Sequence, residues 1–316
     1  MTDSSPPSLA TPIEKPAHSN MGTAYGYQEI DAEIIDYKIW KIWSPEAGFS
    51  ARGPRPASLA PGEYCTSLGA AFTFGRFVPR PYTELLGTAL KVPALNLGFS
   101  GVGPSFYTEP RNKTLIDLVN HSKFVTIAIF SGRSQGNSRF KTTHYSQEQY
   151  ILSDGKVVPA DFAYQRLLET ANVQEIASLV AETRAAYISE FSKLLNQITV
   201  PKVLVWFSKR SPDYEERYDT LFHLLSSFPH LVNRSMVEAL RPLCDDYVEH
   251  VDKTGLPQPF ISRFTQEPVS IVRSRDYKKG KIQLTSSHLS ENNYYASPEM
   301  HRRLALRLLP ICEQWA

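Results

Sequence analysis

Cys65-Thr-Ser-Leu-Gly-Ala-Ala-Phe-Thr-Phe-Gly-Arg76 is the stretch on which the reading of this chain turns. It begins as an apolar strand, expected over residues 64–68, and breaks at Gly69 into a turn of small residues. Arg76 follows, and a helix is expected over 81–90 with Pro81 in its first turn, where a missing N–H costs nothing. A tight turn between a buried strand and a helix is where open α/β sheets keep their ligands.

Outward from this stretch the same alternation repeats. Strands are expected over 92–97, 124–130, 203–207 and 247–251, and helices over 115–121, 161–197 (one broken or two), 233–240 and 298–312. The unbroken run Phe-Val-Thr-Ile-Ala-Ile-Phe at 124–130 suits a strand buried on both faces. Strands separated by helices predict an α/β fold, a mainly parallel sheet with helices on both sides in a flavodoxin-like three-layer arrangement. The stretch 131–159 is long and polar and reads as a functional or mobile loop. Residues 273–290 give no clear pattern.

Upstream, residues 1–20 are rich in Ser, Pro and Thr and read as a disordered tail. Residues 21–62 read as an extension that packs on the core, with Ile34, Tyr37, Ile39, Trp40, Ile42 and Trp43 covering the side of the sheet. The α/β domain then occupies 63–316. The formal charge of +2 on 316 residues gives no general attraction to nucleic acid or membranes. No apolar run is long enough to span a bilayer, and no secretory leader pattern is present, so a cytoplasmic location is expected. The three cysteines, Cys65, Cys244 and Cys312, form neither a disulfide framework nor a metal-binding spacing. The eight histidines make no HxH or HExxH arrangement, so no metal is expected.

Four motifs stand in chain order: Gly69 to Gly75; Asn96-Leu-Gly-Phe-Ser-Gly-Val-Gly-Pro104; Ser131-Gly-Arg-Ser-Gln-Gly-Asn137; and Asn292-Asn-Tyr-Tyr-Ala-Ser-Pro-Glu-Met-His301. In this order they resemble the blocks of the SGNH hydrolases. Gly69, Thr73 and Gly75 match the first block and Gly98 the second. Asn137 stands where that family keeps its oxyanion-hole amide, and His301 where it keeps its base. The nucleophile is missing, however: the positions of the Asp and Ser are Ala70 and Ala71, and Pro298 stands at the second Asp. Phrases such as LGAAFTFGRF, LNLGFSGVGP and YYASPEMH also resemble an uncharacterised bacterial domain family.

The resemblance implies catalytic roles for His301 and Asn137. It implies a ligand-binding role for Gly69, Ala71, Thr73, Gly75, Gly98 and Gly101, with Arg76, Arg133 and Arg80 available to hold phosphates. Each has a second reading. The glycines serve equally as turn formers, Asn137 as a loop residue bonding its own backbone, His301 as a helix residue packed on the sheet, and the arginines as ion-pair partners.

Without a serine nucleophile, direct transfer fits better than hydrolysis: an acceptor hydroxyl attacks an activated donor with the help of a base. Three functions follow. The first is a sulfo or acyl transferase acting on a glycan-type hydroxyl. It would use a nucleotide-linked donor of adenosine phosphosulfate type or an acyl-CoA, with no tightly bound cofactor. The second is a non-catalytic carbohydrate-binding or scaffold protein. The third is an esterase whose nucleophile is displaced, with Ser100 the candidate. Oligomeric state is not readable.

Overall fold

The computed structural model describes residues 24–44, 48–143, 147–273, 276–278, 281–283 and 287–316. The tail expected at 1–20 lies outside the described residues. Five strands build the central sheet: β1 Cys65–Gly69, β2 Ala94–Gly98, β3 Val125–Ala128, β4 Lys202–Ser208 and β5 Asp246–Val251. They lie in the order β2-β1-β3-β4-β5, and every pairing is parallel. The α/β expectation is therefore met, with the strand order of doubly wound flavodoxin-like sheets. β1 and β3 are buried along their whole length at the centre of the parallel sheet, and their polar Ser67 and Thr126 hydroxyls hydrogen-bond each other at 2.8 Å.

The helices of seven residues or more are α1 Ala24–Asp31, α2 Tyr82–Leu90, α3 Lys113–Asn120, α4 Ala160–Thr170, α5 Val173–Gln197, α6 Arg234–Leu240 and α7 Pro298–Cys312. Right-handed crossovers send α2 to one face of the sheet and α3, α5 and α6 to the other. The contacts agree: α2 packs against α7, and α5 against α6. Ser297 starts α7 by accepting from the Met300 N–H, with Pro298 in the first turn. The helical stretch 161–197 is divided at Ala171, and Asn172 caps α5 by accepting from the Glu175 N–H.

Two regions depart from expectation. The stretch 131–159 is not a plain loop. A three-stranded antiparallel sheet forms there from Lys141–Thr142, Gln149–Ile151 and Val157–Pro159. Strands of two or three residues with only Tyr150 and Val158 turned inward are too short to show a period of two in the sequence. That small sheet and α4 share a second apolar cluster around Phe140, Tyr164 and Leu167. In the N-terminal stretch, Ile42 joins the main core. Tyr27, Ile34, Ile35 and Tyr37 instead form a third cluster with Phe74, Phe77 and Phe260, and Trp43 is exposed.

Candidate functional crevice at the carboxyl edge of the sheet

The direction of winding reverses between β1 and β3, so the loops leaving β1, β2 and β3 meet at the switch point of the carboxyl edge, where open α/β sheets place a ligand crevice. The loop after β1 closes at once into a one-turn helix, Ala71–Phe74. Two glycines let it approach so closely. A Cβ on Gly69 would lie 2.0 Å from Thr73 Oγ1, and one on Gly98 would lie 2.3 Å from the Phe74 backbone nitrogen. Thr73 is consequently buried against the strands, whereas Ala71 is partly exposed.

A closed chain of contacts rings this edge. Ser100 Oγ and Tyr27 Oη share a hydrogen bond. Tyr27 Oη lies 3.4 Å from Tyr295 Oη, and the Tyr294 ring meets that of Tyr295 edge-on at 4.8 Å. Tyr294 Oη lies 2.9 Å from His230 Nε2. The His230 carbonyl accepts from the Gly132 N–H at 2.7 Å, and neighbouring Arg133 pairs with Glu148. The backbone N–H groups of Gln147 and Glu148 return to the Gly101 carbonyl, next to Ser100. Phe72, from the β1 loop, packs inside this ring on Phe228, Tyr294 and Tyr295.

The polar pair with chemical potential is His230 and Tyr294. His230 Nδ1 faces the Ser226 carbonyl at 2.7 Å. A carbonyl only accepts, so Nδ1 carries the hydrogen and Nε2 keeps its lone pair. Tyr294 therefore donates its hydroxyl hydrogen to Nε2, and its own residue is 40% exposed. Burial, followed by the Arg133 charge, holds the His230 pKa well below the ordinary value, so the ring is neutral at pH 7. Burial likewise raises the Tyr294 phenol, which stays protonated. Lys209, just after β4, donates to the Asn293 carbonyl and stands 5.9 Å above the Tyr294 ring. Its pKa is lowered, first by burial and then by Lys253.

The residues singled out from the sequence are distributed as follows. Arg76 grips both oxygens of the buried Asp31 at 2.8 and 3.0 Å, donates to Tyr295 Oη, and lies 4.1 Å from the centre of the Tyr27 ring. Arg133 is held by Glu148 and Asp161. Both guanidinium groups are thus already neutralised. Arg80 pairs with Glu84 on the surface. The Asn137 side chain accepts from the N–H groups of Arg139 and Phe140 and donates to Thr183.

His301 is fully buried beside α2, where Nδ1 accepts from the Tyr82 N–H at 3.0 Å and the ring packs on Tyr82 and Phe207. Burial, then the charges of Arg52 and His250, push its pKa down to about 3. Gly75 adjoins it, and a Cβ there would lie 3.6 Å from His301 Cε1. Among the described residues His301 and Asn137 share no hydrogen-bond or ring partner. Ser100 Oγ is bonded to a phenol, which supplies no base. Among the described residues no group of three or more His, Cys, Asp or Glu could hold a metal. No described helix is long and apolar enough to cross a membrane.

His230, Tyr294 and Lys209 escaped the sequence reading. Lys209 follows an expected strand by two residues, and His230 lies between that strand and the Asn233-capped helix, so both fall at the carboxyl edge by topology. Tyr294 lay in the fourth motif but reads as packing.

Residues 27–153 and 161–258 match a family described as a domain of unknown function, DUF6473. The chain belongs to the DUF6473 family. His230, Lys209 and the β1 to β3 loops fall inside the matched residues of that family, and Tyr294 and His301 beyond them. No curated protein matches the chain. Among solved structures it is similar to the lipase Lip_vut3 from a goat rumen metagenome, at 11% identity and a TM-score of 0.40, over 80% of this chain and 98% of that one. It is also similar to BT4096, a gut microbial diltiazem-metabolizing enzyme, at 11% identity and a TM-score of 0.31, over 60% of this chain and 37% of that one.

Proposed function

We propose that the crevice transfers an acyl or sulfo group from a nucleotide-linked donor to a hydroxyl on a glycan-type acceptor. The observation that carries this reading is the orientation of His230: its Nδ1 hydrogen is engaged by Ser226, and its Nε2 lone pair faces the hydroxyl of Tyr294, a residue that is itself partly exposed. Such an imidazole is a base held in one tautomer. The motif order that resembles that of SGNH hydrolases, with Ala70 and Ala71 where such a match would put Asp and Ser, favours direct transfer without a covalent enzyme intermediate. We assign the base to His230 rather than His301, because His301 Nε2 is sealed in the core.

In this mechanism the acceptor hydroxyl takes the place of the Tyr294 hydroxyl at Nε2, or passes its hydrogen through it. As the acceptor oxygen bonds to the acyl carbon or sulfur, its proton moves to His230 Nε2. The bond from that carbon or sulfur to the donor's leaving group breaks, and the leaving group receives the proton from His230. Lys209 spends one of its three hydrogens on Asn293 and has others for a donor phosphate. Arg76 and Arg133 position the ring instead.

The test is a transfer assay with acetyl-CoA or an adenosine phosphosulfate donor and a panel of oligosaccharides, following release of free CoA or adenosine 3′,5′-bisphosphate. Release that depends on acceptor and falls by about 10²–10⁴ in His230→Gln supports the reading. Acceptor-independent release, or none with either donor, rejects it. A second reading, carbohydrate binding without turnover, draws on the exposed Tyr294 ring backed by Tyr295, a surface on which a sugar could stack. It predicts oligosaccharide binding that Tyr294→Ala abolishes and His230→Gln leaves intact.

A further inference from the structure

Arg52 sits where the N-terminal segment meets the sheet edge, in an antiparallel backbone bridge to Asn96 of β2. Its residue is 1% exposed. Nη2 donates to the carbonyls of Val78 and Pro79 at 2.8 and 3.0 Å, and the guanidinium lies 4.8 Å from the Tyr37 ring. Its Nε and Nη1 have no acceptor. Arg76 and Arg133 each have carboxylates; Arg52 has none within ion-pairing range among the described residues. A buried cation left in this state carries a large desolvation cost. Burial lowers its pKa to about 10, which still leaves it charged at pH 7.

Beside Arg52 opens a depression of about 400 Å³ between α2, the edge strand β2 and the Pro-rich segment 53–57. Arg52, Arg55, Thr83, Glu84, Lys91 and Asn96 line it. Thr83 Oγ1 is buried and has no partner either. It lies in the first turn of α2, whose cap, Pro81, has no side-chain hydrogen-bonding group. Glu84 is already engaged by Arg80. His301, near enough to Arg52 to feel its charge, uses Nδ1 as an acceptor, so Nε2 carries the hydrogen, and that N–H also lacks a partner. The unused groups of Arg52 and His301 are thus all donors, and a hydroxyl donates equally well.

We propose that this depression is an oxyanion site that seats the carboxylate or phosphate of a small organic anion on Arg52 and Thr83, with Lys91 at its rim. Oxyanions bring the acceptors that these groups lack, and charge-assisted hydrogen bonds to a buried guanidinium are the strong ones. The site shares no residue with the ring around the crevice, so it stands or falls apart from the transferase reading.

The experiment titrates the full chain with inorganic phosphate, sulfate and acetate at constant ionic strength, following thermal stability and heat of binding. We expect saturable stabilisation by at least one of them, with phosphate against acetate telling the two oxyanion chemistries apart. Affinity should fall by about tenfold or more in Arg52→Met and Thr83→Val, since a hydrogen bond to a charged group is worth about 1.5–3 kcal/mol. Lys91→Ala, an exposed substitution, should weaken it several-fold without lowering the stability of the free protein. No saturable effect from any of the three anions up to about 20 mM overturns the proposal, because RT ln(1 + [L]/Kd) would then leave the site essentially unoccupied. So does an effect equal in wild type and Thr83→Val; that comparison stands even if Arg52→Met does not fold. A crystal structure grown in phosphate that holds only water on Arg52 would overturn it too.

Discussion

Tyr294 Oη donates to His230 Nε2 across 2.9 Å, joining a residue of the β4–α6 connection to one just before the last helix. The pair is asymmetric: burial keeps the imidazole neutral and the phenol protonated, so the hydrogen rests on the oxygen. Removing the histidine should therefore cost more activity than removing the hydroxyl. Tyr294→Phe leaves Nε2 open to an acceptor and is expected to lower kcat/KM by no more than about tenfold, against about 10²–10⁴ for His230→Gln. Steady-state kinetics of the two variants check the order.

The depressed His230 pKa has a second consequence. A base whose pKa lies well below 6.5 stays unprotonated into mildly acidic solution. The acidic limb of a pH profile of kcat/KM should fall below pH 6.5, not at it. A limb at or above pH 6.5 would remove His230 as the base.

Stability should show the same histidines from the other side. The pKa values of His230, His250 and His301 are all lowered in the folded state, in each case first by burial. The unfolded chain binds their protons near pH 6.5 and the folded chain does not. Stability is thus unaffected above about pH 6.5 and falls as the pH drops below it, by up to about 1.4 kcal/mol per pH unit for each such group. For His301 the loss continues toward about pH 3. His301→Gln, which keeps an acceptor for the Tyr82 N–H, should flatten the slope of unfolding free energy between pH 6 and 4. An unchanged slope would mean that His301 titrates normally.

Arg76 and Asp31 form a buried bidentate pair, with side-chain exposures of 14% and 0%. Breaking it leaves an uncompensated charge. Asp31→Asn is expected to cost about 3–5 kcal/mol in chemical denaturation. Arg76→Ala should lose stability with or without nucleotide present, which separates a structural arginine from a phosphate ligand.

Gly98→Ala should destabilise more than Gly69→Ala. The added methyl meets backbone at Phe74 in the first case and mainly the Thr73 side chain in the second. Overpacking of this kind costs about 1–3 kcal/mol, and only the side chain can turn away. Thr73→Gly should recover part of the Gly69→Ala loss and none of the Gly98→Ala loss.

The sheet was legible because its strands are separated by helices and because β3 and β4 sit in largely apolar runs, whereas β5 carries Asp246, Glu249 and His250. The crevice was legible only as a place. Gly69, Ala71 and Gly98 lie where strand ends must gather. Which side chains work there depends on partners far along the chain: Tyr294 finds His230 across 64 residues, and Arg76 finds Asp31 across 45. Burial decided the rest. Nothing in the local sequence of His301 distinguishes a core histidine from an exposed one, and nothing near Arg133 announces Glu148 and Asp161.

The ring also sets an order of events during synthesis. Tyr27 leaves the ribosome well before Tyr295, which it touches from 268 residues away. Until that segment arrives, α1 has only part of its packing surface, and Arg76 has Asp31 and the Tyr27 ring but lacks Tyr295. The parallel sheet can form earlier, as each strand and its crossover helix emerge. The rim then closes only after the sheet, and a stall in translation before residue 295 should yield a chain with an assembled sheet and an open, unpaired rim.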